Sequence, residues 1–225
     1  MSSDLRILML GADDMITAIG NSLLGRKVFD EEQNTCQRDS VALADGRTLH
    51  VTAALCRQVF YVSDGMFRLS DQLVTDINST DYHAVILSME IKTNLTLTYP
   101  TAADTMLKEE AWKNFLRKKG IIVVREANTF TKAQKSEEIS GSFLDWMRTQ
   151  TGVVGTIFQE LQERCLLFDT TGSQDVLNKK RSELVDMIDV QVCTLFGQCL
   201  AGCKVSPKYD LHLLPPLIGS KSRTK

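Results

Sequence analysis

The chain of 225 residues lacks the makings of a metal scaffold. Its six cysteines, Cys36, Cys56, Cys165, Cys193, Cys199 and Cys203, form no Cys-x-x-Cys pair, and its three histidines are far apart. That inventory argues against a zinc site. There is no excess of charge either. A net charge of -2 and a pI near 6.0 argue against nucleic acid or an anionic membrane surface as a partner. No apolar run reaches the length of a bilayer span. The charged start, Met-Ser-Ser-Asp-Leu-Arg, has no apolar stretch behind it, so no signal peptide is expected. These absences lead to the expectation of a cytoplasmic protein with reduced thiols, in which the sequons at Asn78 and Asn94 are chance matches. Internal repeats and low-complexity linkers are absent as well.

What is present is a folding chain with 43% hydrophobic residues, long enough for one domain with a helical appendage. Leu5 to Leu10 is a short apolar run that reads as a buried strand. Gly11 ends it. A helix follows with Ile16, Ile19, Leu23 and Leu24 on one stripe, and Gly25 ends that helix. Between Ser40 and Thr52, Asp45-Gly46 separates two alternating runs, a hairpin signal. Residues 58–67 are ambiguous between strand and loop, and Leu69 to Asn78 has helical spacing. Tyr82 to Ser88 is a second buried strand. Thr101 to Lys119 is a helix stopped at Gly120. Ile121 to Val124 is a third strand. Phe143–Arg148 and Val154–Glu163 read as helices, Cys165–Phe168 as a last strand and Asn178–Cys203 as a long helix. Strand alternating with helix, apart from the hairpin, predicts an α/β three-layer domain with a mainly parallel sheet, one antiparallel edge strand and a C-terminal helix. The expected organisation is a domain over 1–172, a helical extension over 173–204 and a flexible tail over 205–225.

The segment from Leu5 to Asp30 resembles the opening of the AIG-type G domain of the GTPase-of-immunity-associated-protein (GIMAP) family. Gly20-Asn-Ser-Leu-Leu-Gly25-Arg-Lys-Val-Phe29 matches that family's helix signature. Asp45-Gly-Arg47 sits at its hairpin, and His83 to Leu87 resembles its next strand. Phe143 to Arg148, Phe158 to Leu161 and Arg164-Cys-Leu-Leu-Phe168 resemble its C-terminal part. The likeness covers roughly residues 5–190 and is weak over 55–80. It implies a P-loop NTPase-like fold, GTP with Mg²⁺ as the family's ligand, and a phosphate site over Gly11, Ala12, Asp13, Asp14, Met15, Ile16, Thr17 and Ala18.

The departures bear on the chemistry. A phosphate loop needs glycines that free backbone N–H groups, a lysine for the β- and γ-phosphates, and a hydroxyl for Mg²⁺. Aligned on the helix, Thr17 takes the hydroxyl position and would be the metal ligand, Ile16 takes the lysine's place, and the loop is a residue short. Asp13 and Asp14 repel a polyanion, and they can cap the helix N-terminus that would otherwise attract one. The aspartate that holds Mg²⁺ through water in the family falls at Ala53. In the base-reading segment Arg125 matches the family's arginine, and Ala127 or Asn128 falls at the guanine-binding aspartate. Asparagine offers one acceptor and one donor, a mismatch for guanine's two donors. Asp169-Thr-Thr171 replaces the family's asparagine-bearing loop.

These readings lead to the expectation of a pseudo-GTPase that works through protein partners or homo-oligomers. An atypical GTPase completed by oligomerisation is the alternative, and a scaffold with a partner or membrane helix over 178–203 is a third reading. Membrane association through acylation of Cys199 or Cys203 is a further expectation. Cys165 and His83 sit in buried strand patterns and are expected to be structural, with Phe143 and Trp146 as core anchors.

Overall fold

The structure, a computed structural model, describes residues 4–32, 36–54, 60–63, 66–69, 75, 77, 80–99, 107–108 and 110–196, with the backbone alone at 60–63, 66–69, 111 and 193–196. In chain order the elements are β1 (Leu5–Leu10), α1 (Asp13–Leu24), β2 (Gln37–Ala42), β3 (Thr48–Ala54), β4 (Phe60–Ser63), β5 (Met66–Leu69), β6 (Ala84–Ile91), β7 (Leu97–Thr98), α2 (Glu110–Lys119), β8 (Gly120–Arg125), α3 (Ala127–Lys135), α4 (Phe143–Arg148), α5 (Gly152–Glu160), β9 (Cys165–Leu167) and α6 (Gln174–Phe196). The main sheet runs β2-β3-β1-β6-β8-β9, with β7 attached to β6. Its central pairs are parallel. β2 joins β3 antiparallel at the edge, through the turn at Asp45-Gly46. β7 adds a short antiparallel contact. This is the expected mainly parallel sheet with helices on both faces.

Alternation along β1 divides the core in two. Leu5, Ile7 and Met9 face α1 and α6, where they bury Ile16, Ile19, Leu23, Leu184 and Ile188. Leu8 and Leu10 face α2 to α5, among Leu116, Phe130, Trp146, Ile157 and Phe158. Each such side chain taken out of water contributes about 1.5–3 kcal/mol before the cost of ordering the chain. Phe143 and Trp146 tilt against each other at 6.0 Å and both meet Phe130, so the expected anchors pack as a three-ring cluster.

The helix signature is explained by packing. Gly20 leaves room for the Phe29 ring, which would stand 2.4 Å from a Cβ placed there. The Asn21 side chain accepts from the N–H groups of Val28 and Phe29 and donates to the Phe29 carbonyl, folding the chain back after α1. Gly25 closes the helix with φ 72°.

Several expectations change. Residues 58–67 include a real hairpin, β4–β5. Leu69 ends β5, so the helical spacing over 69–78 survives only at Thr75 and Ile77 among the described residues. The helix expected over 101–119 is described as Glu110–Lys119, with 107–108 also helical. The residues after Val124 were read as a motif loop, yet α3 begins at Ala127. Glu126 adopts φ 73°, turning the chain sharply, and Phe130 and Ala133 then bury one face of the new helix. α6 starts at Gln174, ahead of the expected Asn178. Residues 197–225, with Cys199, Cys203 and the tail, lie outside the described residues.

Candidate functional site

In an open α/β sheet, ligands bind beyond the carboxyl ends of the parallel strands. Here that edge is formed by the ends of β1, β3, β6 and β8. β1 ends at Leu10 and α1 begins at Asp13, so only Gly11 and Ala12 connect them. Ala12 holds the N-cap position with extended backbone and offers no side-chain acceptor. The expectation that Asp13 and Asp14 cap this helix is corrected: neither occupies the N-cap position. They are the first residues of the helix, where their charge complements its dipole. The first intrahelical bond, Ile16 N–H to the Ala12 carbonyl, is already in place at 3.0 Å.

The remaining residues of this segment turn inward. Met15 and Ile16 are buried, and Ile16 belongs to the core beneath α1. Gly11 is pinched: a Cβ there would stand 2.8 Å from Ser88 Cβ and 2.9 Å from Ile16 Cγ2. Its glycine is required by this close approach of β6 and α1. Thr17 is buried and its hydroxyl has no hydrogen-bond partner, and the Ser88 hydroxyl is likewise unpartnered. Ala18 is half-buried, and its carbonyl accepts from the Ser22 hydroxyl at 2.8 Å. Ala53 is fully buried in the core under α1.

Arg125, the last residue of β8, reaches across this edge. Its guanidinium donates to Glu90 Oε1 at 2.8 Å and to the Asp14 carbonyl at 3.4 Å, and it lies 3.6 Å from the Asp14 carboxylate. The Glu126 carboxylate lies 3.4 Å from its Nε. Glu90 is the register partner of Arg125 and also binds Lys92. The Arg125 and Glu90 side chains are 17% and 11% exposed, so their pair acts in a partly dry setting where it is stronger than on open surface. Among the described residues, Arg125 and Lys92 at this edge are both paired with carboxylates of the chain itself.

On the base-reading side, Asn128 lies in the first turn of α3 and its amide donates to the Thr171 hydroxyl at 3.4 Å. Thr171 in turn donates to Asp169 through its hydroxyl and its N–H. The structure therefore brings Asp14 and Arg125 into contact, and joins Asn128 to the 169–171 loop. Glu90, Lys92, Ser88 and Glu126 were not singled out from sequence. The signal for Glu90 was a carboxylate near the end of an otherwise apolar strand.

Elsewhere, burial explains the perturbed groups. The Cys165 thiol is pushed well up, which suppresses its thiolate and makes it inert. His83 accepts from the Arg6 N–H at 3.0 Å, and burial lowers its pKa. Arg164 is pulled down to about 10 by burial while it donates to the carbonyls that end α2. Cys165 and His83 pack as structural residues, as expected, and Arg164 joins them.

The alternation of parallel strands and helices on both faces, with a helix springing from the first strand at the carboxyl edge, defines a P-loop NTPase-like α/β domain. The chain belongs to the AIG1 family, whose model matches residues 5–201. No curated protein matches it. Among solved structures it is similar to the G domain of FeoB from Methanococcus jannaschii, at 14% identity and a TM-score of 0.49, over 85% of this chain and 99% of that one. G domains of this family generally bind GTP with Mg²⁺, and the residues here can be tested against that ligand. Thr17 retains a hydroxyl, but Ile16 stands beside it where a lysine would, Ala53 where a carboxylate would, and only Gly11 and Ala12 link β1 to α1. The residues present do not fit Mg²⁺–GTP held in the usual way. No α-helix among the described residues is long and apolar enough to cross a membrane.

Proposed function

We propose that this chain is a GIMAP-type pseudo-GTPase, a G-domain scaffold that acts through contacts with other proteins in the cytoplasm, in immune or stress responses as the family likeness suggests. The observation that carries the reading is the connection between β1 and α1. With only Gly11 and Ala12 between strand and helix, too few backbone N–H groups are available to wrap a phosphate chain. The ion pairs of Arg125 support the same reading. An incoming polyanion would have to displace Glu90 and Asp14 from the guanidinium and then sit beside both carboxylates.

Thermal unfolding with and without ligand tests the proposal. A site with a Kd of ~1 μM, exposed to ~1 mM Mg²⁺–GTP, would stabilise the fold by about 4 kcal/mol. For a chain this long that is a rise in Tm of roughly 8–16 °C. The proposal predicts a shift below ~1 °C for GTP, GDP and ATP, within the noise of a two-state fit.

One observation favours a second reading, an active but atypical GTPase that hydrolyses GTP within an oligomer. The buried hydroxyls of Thr17 and Ser88 lack partners, as groups awaiting a ligand would. A partner subunit would then have to supply the missing positive charge. Phosphate release measured at high protein concentration separates the two. Turnover abolished by Thr17→Ala supports the second reading and overturns the first.

A further inference from the structure

The main sheet ends on two unlike edges. β9, at one end, has three residues, and an edge that short offers little for another strand to pair with. β2, at the other end, has six. Which of its groups face outward follows from the register. The Leu43 N–H bonds the Arg47 carbonyl at 2.8 Å, and the pairing runs on through Val41 opposite Leu49 and Asp39 opposite Val51. In an antiparallel pair every second residue bonds the facing strand. Leu43, Val41 and Asp39 therefore bond inward to β3, and the N–H and C=O groups of Ser40 and Ala42 point out of the sheet.

Both outward groups of Ser40 are already occupied. Arg26 donates to the Ser40 carbonyl at 3.2 Å and to the Asp39 carboxylate at 2.7 Å. Asp39 accepts from the Ser40 N–H at 2.7 Å. That N–H, and then Arg26, hold the Asp39 carboxyl below its ordinary range. The place of Arg26 is set by the end of α1, where its own N–H bonds the Asn21 carbonyl at 3.2 Å. An ion pair thus lies across the middle of the outer edge of β2. Beside it, Ala42 is exposed, and Val41 and Leu43 are only partly buried against the core under α1.

We propose that Arg26 and Asp39 guard this edge against pairing with the β2 strand of a second copy, so that this ion pair governs self-association of the chain. A second copy fits because an outward strand edge is its own complement when turned about a two-fold axis. With the axis at Val41, Ser40 of each copy faces Ala42 of the other, and each such pair exchanges N–H to C=O bonds. Val41 then lies opposite Val41, a β-branched pair that covers apolar surface left partly open in each copy. Asp39 lies opposite Leu43 and meets no like charge. Each copy spends one edge, so the assembly closes as a dimer. The device is separate from the edge where Arg125 lies and stands whether or not a nucleotide binds there.

Sedimentation velocity of the full chain tests the proposal. Arg26→Ala combined with Asp39→Ala frees both groups of Ser40 and leaves neither charge of the pair alone. This double variant should dimerise at least ~10-fold more tightly than the parent. Arg26→Ala by itself frees only the carbonyl and should fall between the two. Amide exchange at Ser40 and Ala42 should slow in the dimer. The Arg26 and Asp39 side chains are 58% and 24% exposed, so the urea midpoint of the double variant should stay near that of the parent. Adding Ala42→Pro removes an outward N–H that each copy needs, and it spares the ladder with β3. It should return the double variant to the behaviour of the parent. Three results would each overturn the proposal: self-association no tighter than the parent's up to ~200 μM, growth beyond a dimer, or tightened association that survives Ala42→Pro.

Discussion

Replacing Arg47 with alanine removes the clamp between the β2–β3 hairpin and α6. The Arg47 guanidinium donates to both oxygens of Asp189, at 2.6 and 2.7 Å, and its Nε donates to Asp45 at 2.7 Å. The two side chains of the main pair are 13% and 11% exposed, and Asp189 as a residue is buried. Alanine leaves that carboxylate without a counter-charge, and breaking a buried pair from one side costs about 3–5 kcal/mol. With a urea slope of ~2–3 kcal/mol/M, the midpoint should fall by roughly 1–2 M. The pH dependence has a definite sign. Burial, and then the Asp189 charge, raise the pKa of Asp186, while Arg47 pulls it down. An acid with a raised folded pKa favours the fold at low pH and loses that advantage as pH rises through the folded value. Without Arg47 the shift grows, so the deficit of the variant should shrink on acidification through the carboxylate range. Arg47→Met combined with Asp189→Leu should lie within ~1–2 kcal/mol of the parent, because no charge is then left buried alone. Circular dichroism across a urea series measures all of this. A cost below ~1 kcal/mol for Arg47→Ala would show that the pair behaves as a surface contact and would refute the reasoning.

Three further outcomes follow from the packing. Gly20→Ala should destabilise by about 1–3 kcal/mol, since its methyl meets the Phe29 ring at 2.4 Å, and thermal melts will show it. Asn21→Ala should cost about 1–3 kcal/mol by leaving the N–H groups of Val28 and Phe29 without their acceptor, and amide exchange at those positions should quicken. Ser142→Ala should cost roughly 0.5–2 kcal/mol in denaturant titrations, because it dismantles the capping box that Ser142 and Asp145 form at the start of α4.

The fold was largely legible because its elements carry redundant signals. β1, β6 and β8 are apolar runs bounded by turns, and α1 combines a periodic stripe with a glycine stop. The signature from Gly20 to Phe29 was legible for a reason the structure makes plain. It encodes how the chain folds back after α1, and that geometry is independent of any ligand. α3 was missed because its start depends on the left-handed turn at Glu126, and its stripe is short, only Phe130 and Ala133 being buried. The missing lysine at Ile16 could be read directly from the aligned residues. The Arg125–Glu90–Asp14 cluster could not, because its members come from β8, β6 and α1 and meet only once the sheet order is known. The clamp between Arg47 and Asp189 was hidden for the same reason: a hairpin and a distant helix supply its halves. The role given to Asp13 and Asp14 changed by one position, since the helix begins a residue after Ala12 and makes them its first turn.

On the proposed pseudo-GTPase reading, the edge formed by Gly11 to Thr17 and Arg125 takes up no nucleotide. Isothermal titration of the full chain with GTP and with GDP, in excess Mg²⁺, measures it most directly. A pseudo-GTPase gives no saturable heat with either nucleotide up to millimolar concentration. A binding isotherm of micromolar affinity, lost in Thr17→Ala, would contradict it.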